Sequence, residues 1–363
     1  MGPLHGLKVL ELAGIGPGPF AAMLLADLGA DVVRVDRPGR PSPLEVDPRH
    51  DLLNRGKRSL RADLKNAEDR ELVLSLAGKA DALIEGFRPG VAERLGVGPK
   101  PAMARNPALV YGRMTGWGQD GPLAGTAGHD ITYLALSGAL HTIGRAGGPP
   151  QVPVNLLGDF AGGSLYLVVG LLAALREAAR TGCGQIVDAA VVDGATHLTT
   201  LLYGLEAAGS WTDERGVNLL DTGAPFYDVY AAAGGGYLAV GALEPQFYAE
   251  FIRLLGVPGP LPRQHDRARW PELRTRIAEA FLTRTRDDWA TVFEGTDACV
   301  TPVLSRTEAS QHPHMVRRAT IEHRRGTAQP APAPRFSETP PAPPGPPALP
   351  GEHTDKVITD WLG

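Results

Sequence analysis

The stretch GLKVLELAGIGPGPFAAMLLADLGADVVRVDRP, residues 6–38, contains a complete supersecondary unit. Lys8-Val-Leu-Glu-Leu12 is an apolar run of strand length, and residues 14–19 are a turn built almost entirely of glycine and proline. Phe20-Ala-Ala-Met-Leu-Leu-Ala-Asp-Leu28 has helical composition and is closed by Gly29; Asp31-Val-Val-Arg-Val-Asp36 is a second strand. Strand, turn, helix and strand in about 30 residues make a βαβ unit with parallel strands and a right-handed crossover. The alternation continues with a helix at residues 67–76 and strands at Ala82-Leu-Ile84 and Leu109-Val-Tyr111. The expected fold class is therefore α/β, a doubly wound parallel-sheet large domain that binds ligands outside the carboxyl ends of its strands.

Further along, Asp159 stands at the N-cap position of a long apolar helix over residues 160–180, whose first turns hold Ala161, Gly162, Gly163 and Ser164 and permit close backbone approach. Gly182 and Gly184 end it, and Gln185-Ile-Val-Asp-Ala189 is another strand. Residues 191–224 read as a linker. Tyr227-Asp-Val-Tyr230, the turn Gly234-Gly-Gly236 and Tyr237-Leu-Ala-Val240 read as an antiparallel hairpin. Helices at 246–255, 270–283 and 287–293 complete a smaller α+β domain over 225–305. Ten prolines fall in residues 330–350, a composition that favours extended polyproline geometry. Amphipathic spacing resumes in Asp355-Lys-Val-Ile-Thr-Asp-Trp-Leu362, so the proline segment is expected to be an ordered strap carrying a terminal helix back to the body.

Composition narrows the function. With 43% hydrophobic residues in 363, the chain has material for a large core, and its 45 glycines and 33 prolines belong to turns and special loops rather than to disorder throughout. A net charge of −4 argues against a protein that coats nucleic acid. The two cysteines, Cys183 and Cys299, have no disulfide or metal-site spacing and are expected to be buried thiols in a reducing, cytoplasmic setting. No secretory signal is visible at the N-terminus, and the longest apolar run, residues 165–175, has the length of a core helix rather than a membrane span.

Three features carry chemistry. Gly14-Ile-Gly16-Pro-Gly18-Pro19 between strand and helix, with Asp36 beyond, is reminiscent of a dinucleotide fingerprint, but the third glycine comes one residue early, and Pro17 and Pro19 remove backbone donors from the anion cradle. A tight turn is the favoured reading. Arg55, Lys57, Arg58, Arg61 and Lys65 crowd five cations into 11 residues, and with Arg37 and Arg88 they are expected near the carboxyl edge of the sheet; alone, such a run is more often a solvated loop. His129 and Asp130 in AGHDITY, and Asp159 in NLLGDF, have sufficient structural uses as a loop histidine and a helix cap, yet His129 facing Asp159 would make an acid/base pair.

Read together, GLKVLELAGIGPGPFAAMLLADLGADVVRVDRP, NRGKRSLRADLK, ALIEGFRPGV, RMTGWGQDGP, AGHDITY, NLLGDF, GQIVDAAVVDG, GAPFYDVY and VGALEPQFY closely resemble the α-methylacyl-CoA racemases, within the wider family III CoA-transferase superfamily. The resemblance implies an interlocked homodimer, with a large CoA-binding domain of residues 1–190 completed by about 306–363 and the small domain reaching the partner's active site. It implies that Arg37, Ala62, Asp63, Leu64, Lys65, Gly86, Phe87, Arg88, Arg94, Gly128, Asp130, Ile131, Thr132 and Tyr133 contact CoA. It further implies that His129 and Asp159 exchange the α-proton of a 2-methylacyl-CoA on opposite faces, with Glu244 as the partner of the histidine. The substrate is then an acyl-CoA thioester, CoA being part of it, and no metal or redox cofactor is required. The rival within the superfamily is CoA transfer between carboxylic acids through attack of the aspartate on the thioester. More distant readings are a nicotinamide-dependent oxidoreductase and a non-enzymatic scaffold using the proline segment. Met114, Leu219 and Phe226 are apolar residues that a lipid tail could meet, or ordinary core.

Overall fold

The computed structural model describes residues 2–39 and 46–363. By backbone packing the chain divides into two compact units, one of Met1–Ser137, Pro153–Leu198 and Ile321–Gly363, the other of Gly138–Val152 and Thr199–Thr320.

The first unit is built on six parallel strands: β1 (Lys8–Leu12), β2 (Asp31–Asp36), β3 (Arg58–Arg61), β4 (Ala82–Glu85), β5 (Val110–Thr115) and β6 (Ile186–Ala190). Their order across the sheet is β3-β2-β1-β4-β5-β6. The expected doubly wound sheet is present. The register runs from Lys8 opposite Asp31 to Leu12 opposite Val35 on one side of β1, and Val9 opposite Ala82 on the other. Because successive strand side chains point to opposite faces, each strand feeds two cores. Leu10, Leu12, Val33, Val35, Leu83 and Tyr111 pack on one face; Val9, Val32, Ala82, Ile84 and Val110 pack on the other. The first face is covered by α2 (Ala67–Ala77), named here after α1 (Pro17–Asp27), together with the terminal helix Thr354–Leu362. The second is covered by α1 and by the long helix that follows Asp159.

Strand β3 was not foreseen. The cationic run that reads as a solvated loop is the edge strand and its approach, and most of its charge is consumed inside the fold. Lys57 donates to Glu11 at 2.6 Å, both side chains 1% exposed, and Arg55 pairs with buried Asp27 at 2.6 Å. Arg58 pairs with Asp31 and Asp360. The arginines also hold the C-terminal segment: Arg55 donates to the Pro330 carbonyl at 2.7 Å and Arg61 to that of Pro350 at 3.0 Å. Gly351 donates its N–H to Ser59 Oγ, and Trp361 its indole N–H to Asp31 at 2.8 Å. The strap expected over residues 330–350 is thus laid along this unit's own edge strand, with Val357 and Trp361 of the terminal helix inserted into the core. A short hairpin, Ile321–Arg324 with Thr327–Pro330, precedes it and carries no obvious sequence signal.

The helix through Asp159 also differs from expectation. It starts earlier, as a wide π-helical stretch Leu156–Leu165 that runs into an α-helix, Tyr166–Thr181, capped by left-handed Gly182. Asp159 therefore lies inside the first turns and is not the N-cap. The glycines allow the close approach read from the sequence: a Cβ on Gly194, in the helix Val191–Leu198, would fall 1.8 Å from the Gly162 carbonyl oxygen. The combined helix Leu156–Thr181 is long and apolar enough to cross a membrane, and its residues Leu167, Leu171 and Ala174 pack on the sheet.

The second unit contains the expected hairpin, Tyr227–Ala231 with Tyr237–Gly241, extended by an unforeseen third strand, Val300–Pro302. Gly234 and Gly235 take the positive φ values of 79° and 95° that the turn demands. Helices Pro245–Leu255, Trp270–Phe281 and Arg286–Phe293 bury an aromatic cluster of Phe251, Phe281, Trp289 and Phe293. Buried Asp228 is held between Arg145 and Arg274, which ties the segment Gly138–Val152 to this sheet. Both cysteines are free and exposed, contrary to the expected burial: Cys183 follows a helix end, and Cys299 sits in a strained position with φ of 53°.

Candidate active site

In an open parallel sheet the ligand crevice forms where strand order reverses, because the connections on either side leave in opposite directions. Here that point lies between β1 and β4. A cleft of about 820 Å³ opens there, walled by the end of β1, the turn at residues 14–16 with the first turn of α1, which starts at Pro17 rather than at the expected Phe20, the ends of β4 and β5, and the segment leading to His129. Glu85, buried at the end of β4, shapes one wall: it accepts the Phe87 N–H at 2.7 Å and pairs with Arg113 at 2.9 Å. The first of these contacts fixes Gly86, Phe87 and Arg88 where the chain leaves β4 at the rim.

His129 precedes α3 (Asp130–Leu136) in an extended conformation, its N–H donating to Thr132 Oγ1 at 3.0 Å. Asp159 approaches from the wide helix. Its N–H donates to Asp130 Oδ1 at 2.6 Å, and Asn155 lies 3.5 Å from its Oδ2. The turn at residues 14–16 closes over it: Gly16 has φ of 67°, and a Cβ there would stand 3.2 Å from Asp159 Oδ2. Phe160 next door stacks on Phe20 of α1 with centroids 4.3 Å apart. Burial, and then the neighbouring Asp130 charge, push the Asp159 carboxyl up to about 6, while Asn155 and the His129 charge pull it back. A carboxyl so placed exchanges its proton near neutral pH, as an imidazole does.

Of the residues singled out from sequence, Arg37, Ala62, Asp63, Leu64, Lys65, Gly86, Phe87, Arg88, Gly128, His129, Tyr133 and Asp159 line this one cleft. Arg94, Asp130, Ile131 and Thr132 do not line it, and Glu244 belongs to the second unit, at the start of the helix Pro245–Leu255. Of the five clustered cations only Lys65 faces the cleft; with exposed Arg37 and Arg88 it supplies the positive wall. Met114 lines the floor, whereas Phe226 and Leu219 pack in the second unit against Trp270. Asp36 accepts from Arg34 and from Ser59 Oγ, which occupies the carboxylate that a ribose would need.

The sequence reading passed over Gly116 and Trp117. Tyr133 stands edge-on to Trp117 at 4.7 Å, and a Cβ on Gly116 or Gly128 would lie 2.0 or 2.5 Å from the Tyr133 ring. These glycines are space for an aromatic wall, a demand that becomes visible only when segments from β5 and α3 meet.

A doubly wound sheet whose switch-point cleft brings together Arg37, Lys65, Arg88, His129 and the raised Asp159 carboxyl is the frame of an α/β enzyme, and the chain belongs to CoA-transferase family III, whose sequence profile matches residues 4–354. Within that family it is 45% identical to the α-methylacyl-CoA racemase of Mus musculus over 362 residues, 99% of this chain and 93% of the relative. It is also 45% identical to that of Homo sapiens over 370 residues, with the same coverage. A solved CAIB/BAIF family protein from Brucella suis, 27% identical and covering 99% of each chain, has the same fold with a TM-score of 0.85.

Proposed function

We propose that this protein is an α-methylacyl-CoA racemase that interconverts (R)- and (S)-2-methylacyl-CoA by 1,1-proton transfer. The observation that carries the reading is the opening of His129 and Asp159 onto one cleft, with Asp159 raised to about 6. One group removes the α-proton to leave a planar enolate, and the other delivers a proton to the opposite face. For Asp159 this requires a change of protonation state near neutrality, which is the property burial confers on it. The thioester places the enolate charge on its carbonyl oxygen. Arg37, Lys65 and Arg88 supply charge for the CoA phosphates, with Gly128 and Tyr133 along the wall. In this reading Arg94, Asp130, Ile131 and Thr132 support the CoA site from behind, and Glu244 acts on the histidine from the partner subunit.

The assembly we propose is an interlocked homodimer. Its support is apolar surface on the first unit: Leu156, Leu165 and Val169 of the long helix and Ile186 of edge strand β6 are exposed. The two free cysteines suit a reducing, cytoplasmic compartment.

Incubation with each enantiomer of a 2-methylacyl-CoA in D2O tests the function. Loss of optical activity with α-deuterium incorporation from both enantiomers is expected. Turnover only with an added carboxylic acid, and no exchange, would assign CoA transfer instead.

A further inference from the structure

Asp130 follows His129 in the chain, yet it is 7% exposed and lies outside the cleft wall. Its carboxylate accepts the Asp159 N–H at 2.6 Å and also the Gly158 N–H. Those amides lie in the first turn of the wide helix, where a helix has no internal acceptors, so Asp130 caps one helix from the start of another. The approach requires glycine at 158: a Cβ there would fall 2.4 Å from Asp130 Oδ1. The other carboxylate oxygen, Oδ2, is buried with no hydrogen-bond partner among the described residues. An aspartate is an expensive group to bury so incompletely satisfied, and its placement joins the two segments that carry His129 and Asp159.

We propose that Asp130 is a positioning residue which, through the amides of Gly158 and Asp159, holds the two proton carriers of the racemase site in register and does not bind CoA. The inference rests on the racemase reading above. Its charge adds a second consequence. The charged and titratable groups bearing on Asp159 among the described residues are Asp130 and His129 at the start of α3, Tyr133 one turn on, and Arg88 beyond Tyr133; the Gly16 turn and Asn155 are neutral. Asp130 is the anion touching Asp159's own backbone, so removing its charge eases ionisation of Asp159.

The test is Asp130→Asn, which keeps the shape and one acceptor but not the charge. In ligand-free protein with 13C-carboxyl aspartate, the Asp159 resonance, assigned by its absence in Asp159→Ala, should titrate at least half a pH unit below the wild-type midpoint. The acid limb of kcat/KM should move down with it while KM for the acyl-CoA stays within twofold. Gly158→Ala breaks the same contact from the other side and should lower kcat at least tenfold at unchanged KM. An unmoved Asp159 midpoint in Asp130→Asn, or a tenfold rise in KM with kcat and pH profile intact, overturns the proposal and makes Asp130 filler or a CoA ligand. The NMR titration needs no turnover, so wild-type protein inactive on both enantiomers would sink the racemase reading while leaving the Asp130 contact measured.

Discussion

Asp159→Asn should stabilise the protein at pH 8 while abolishing its activity. A folded-state carboxyl raised from 3.8 to about 6 is harder to ionise than in the unfolded chain. Below pH 3.8 both states hold the proton and the group contributes nothing. As pH rises toward 6 the unfolded chain ionises first, so the folded state loses stability, and above 6 the loss is constant. For a sealed group the full loss would be about 3 kcal/mol, at about 1.4 kcal/mol per tenfold change in ionisation. Asp159 is only partly buried, and solvent screening reduces this to about 1–2 kcal/mol. About half to two-thirds of that is already expressed at pH 4.5. Asparagine removes the ionisation and its penalty while keeping size and polarity. Urea unfolding at fixed protein concentration should therefore show Asp159→Asn more stable than wild type by about 1–2 kcal/mol at pH 8, with the difference shrinking at pH 4.5. α-Proton exchange should fall at least about 100-fold. A stability difference that is equal at the two pH values, or a less stable variant at pH 8, would refute the reasoning, because the cost would not be that of ionising a buried carboxyl.

Lys57→Met leaves the Glu11 carboxylate buried without its cation and should cost about 3–5 kcal/mol by urea unfolding. Adding Glu11→Gln should restore most of it; a double variant as unstable as the single would show that the ion pair is not the cause. Gly128→Ala puts a methyl 2.5 Å from the Tyr133 ring and should raise KM for the acyl-CoA about tenfold, with about 1–3 kcal/mol of destabilisation from overpacking; wild-type kinetics would mean that the ring is not a wall of the site. Trp361→Ala opens the core under the terminal helix and should cost about 3–5 kcal/mol. Protease sensitivity of the strap should rise with it, and an intact strap would separate it from the helix.

The catalytic candidates were legible in the sequence because they lie in short blocks: AGHDITY and NLLGDF mark His129 and Asp159 wherever the chain folds, and both reach the cleft. The roles of their neighbours were not legible. Asp130 reads, through the resemblance, as one more CoA contact, and its proposed task depends on the amides of Gly158 and Asp159, 28 and 29 residues later. Gly116 looks like an ordinary loop glycine, and Gly128 like a CoA contact alone, until Tyr133 is placed against them. Helix starts also shifted: the pattern put Asp159 at an N-cap, whereas a π-helical turn begins at Leu156 because Asp130 supplies the cap from outside.

What the chain determines by itself is the local grammar: apolar runs of strand length in β1, β2 and β4, the glycine-proline turn after β1, and the amphipathic terminal helix. Each depends on side chains a few residues apart, so period and composition suffice to reveal it. Only the tertiary structure decides which charges meet substrate. Arg55 and Lys57 carry the same formal charge as Lys65, yet they are spent on Asp27 and Glu11, 28 and 46 residues away, and Lys65 alone of that run reaches the cleft. Charge acts through distance and burial, and both are set by strand order, which places β3 at the edge and β1 beside β4.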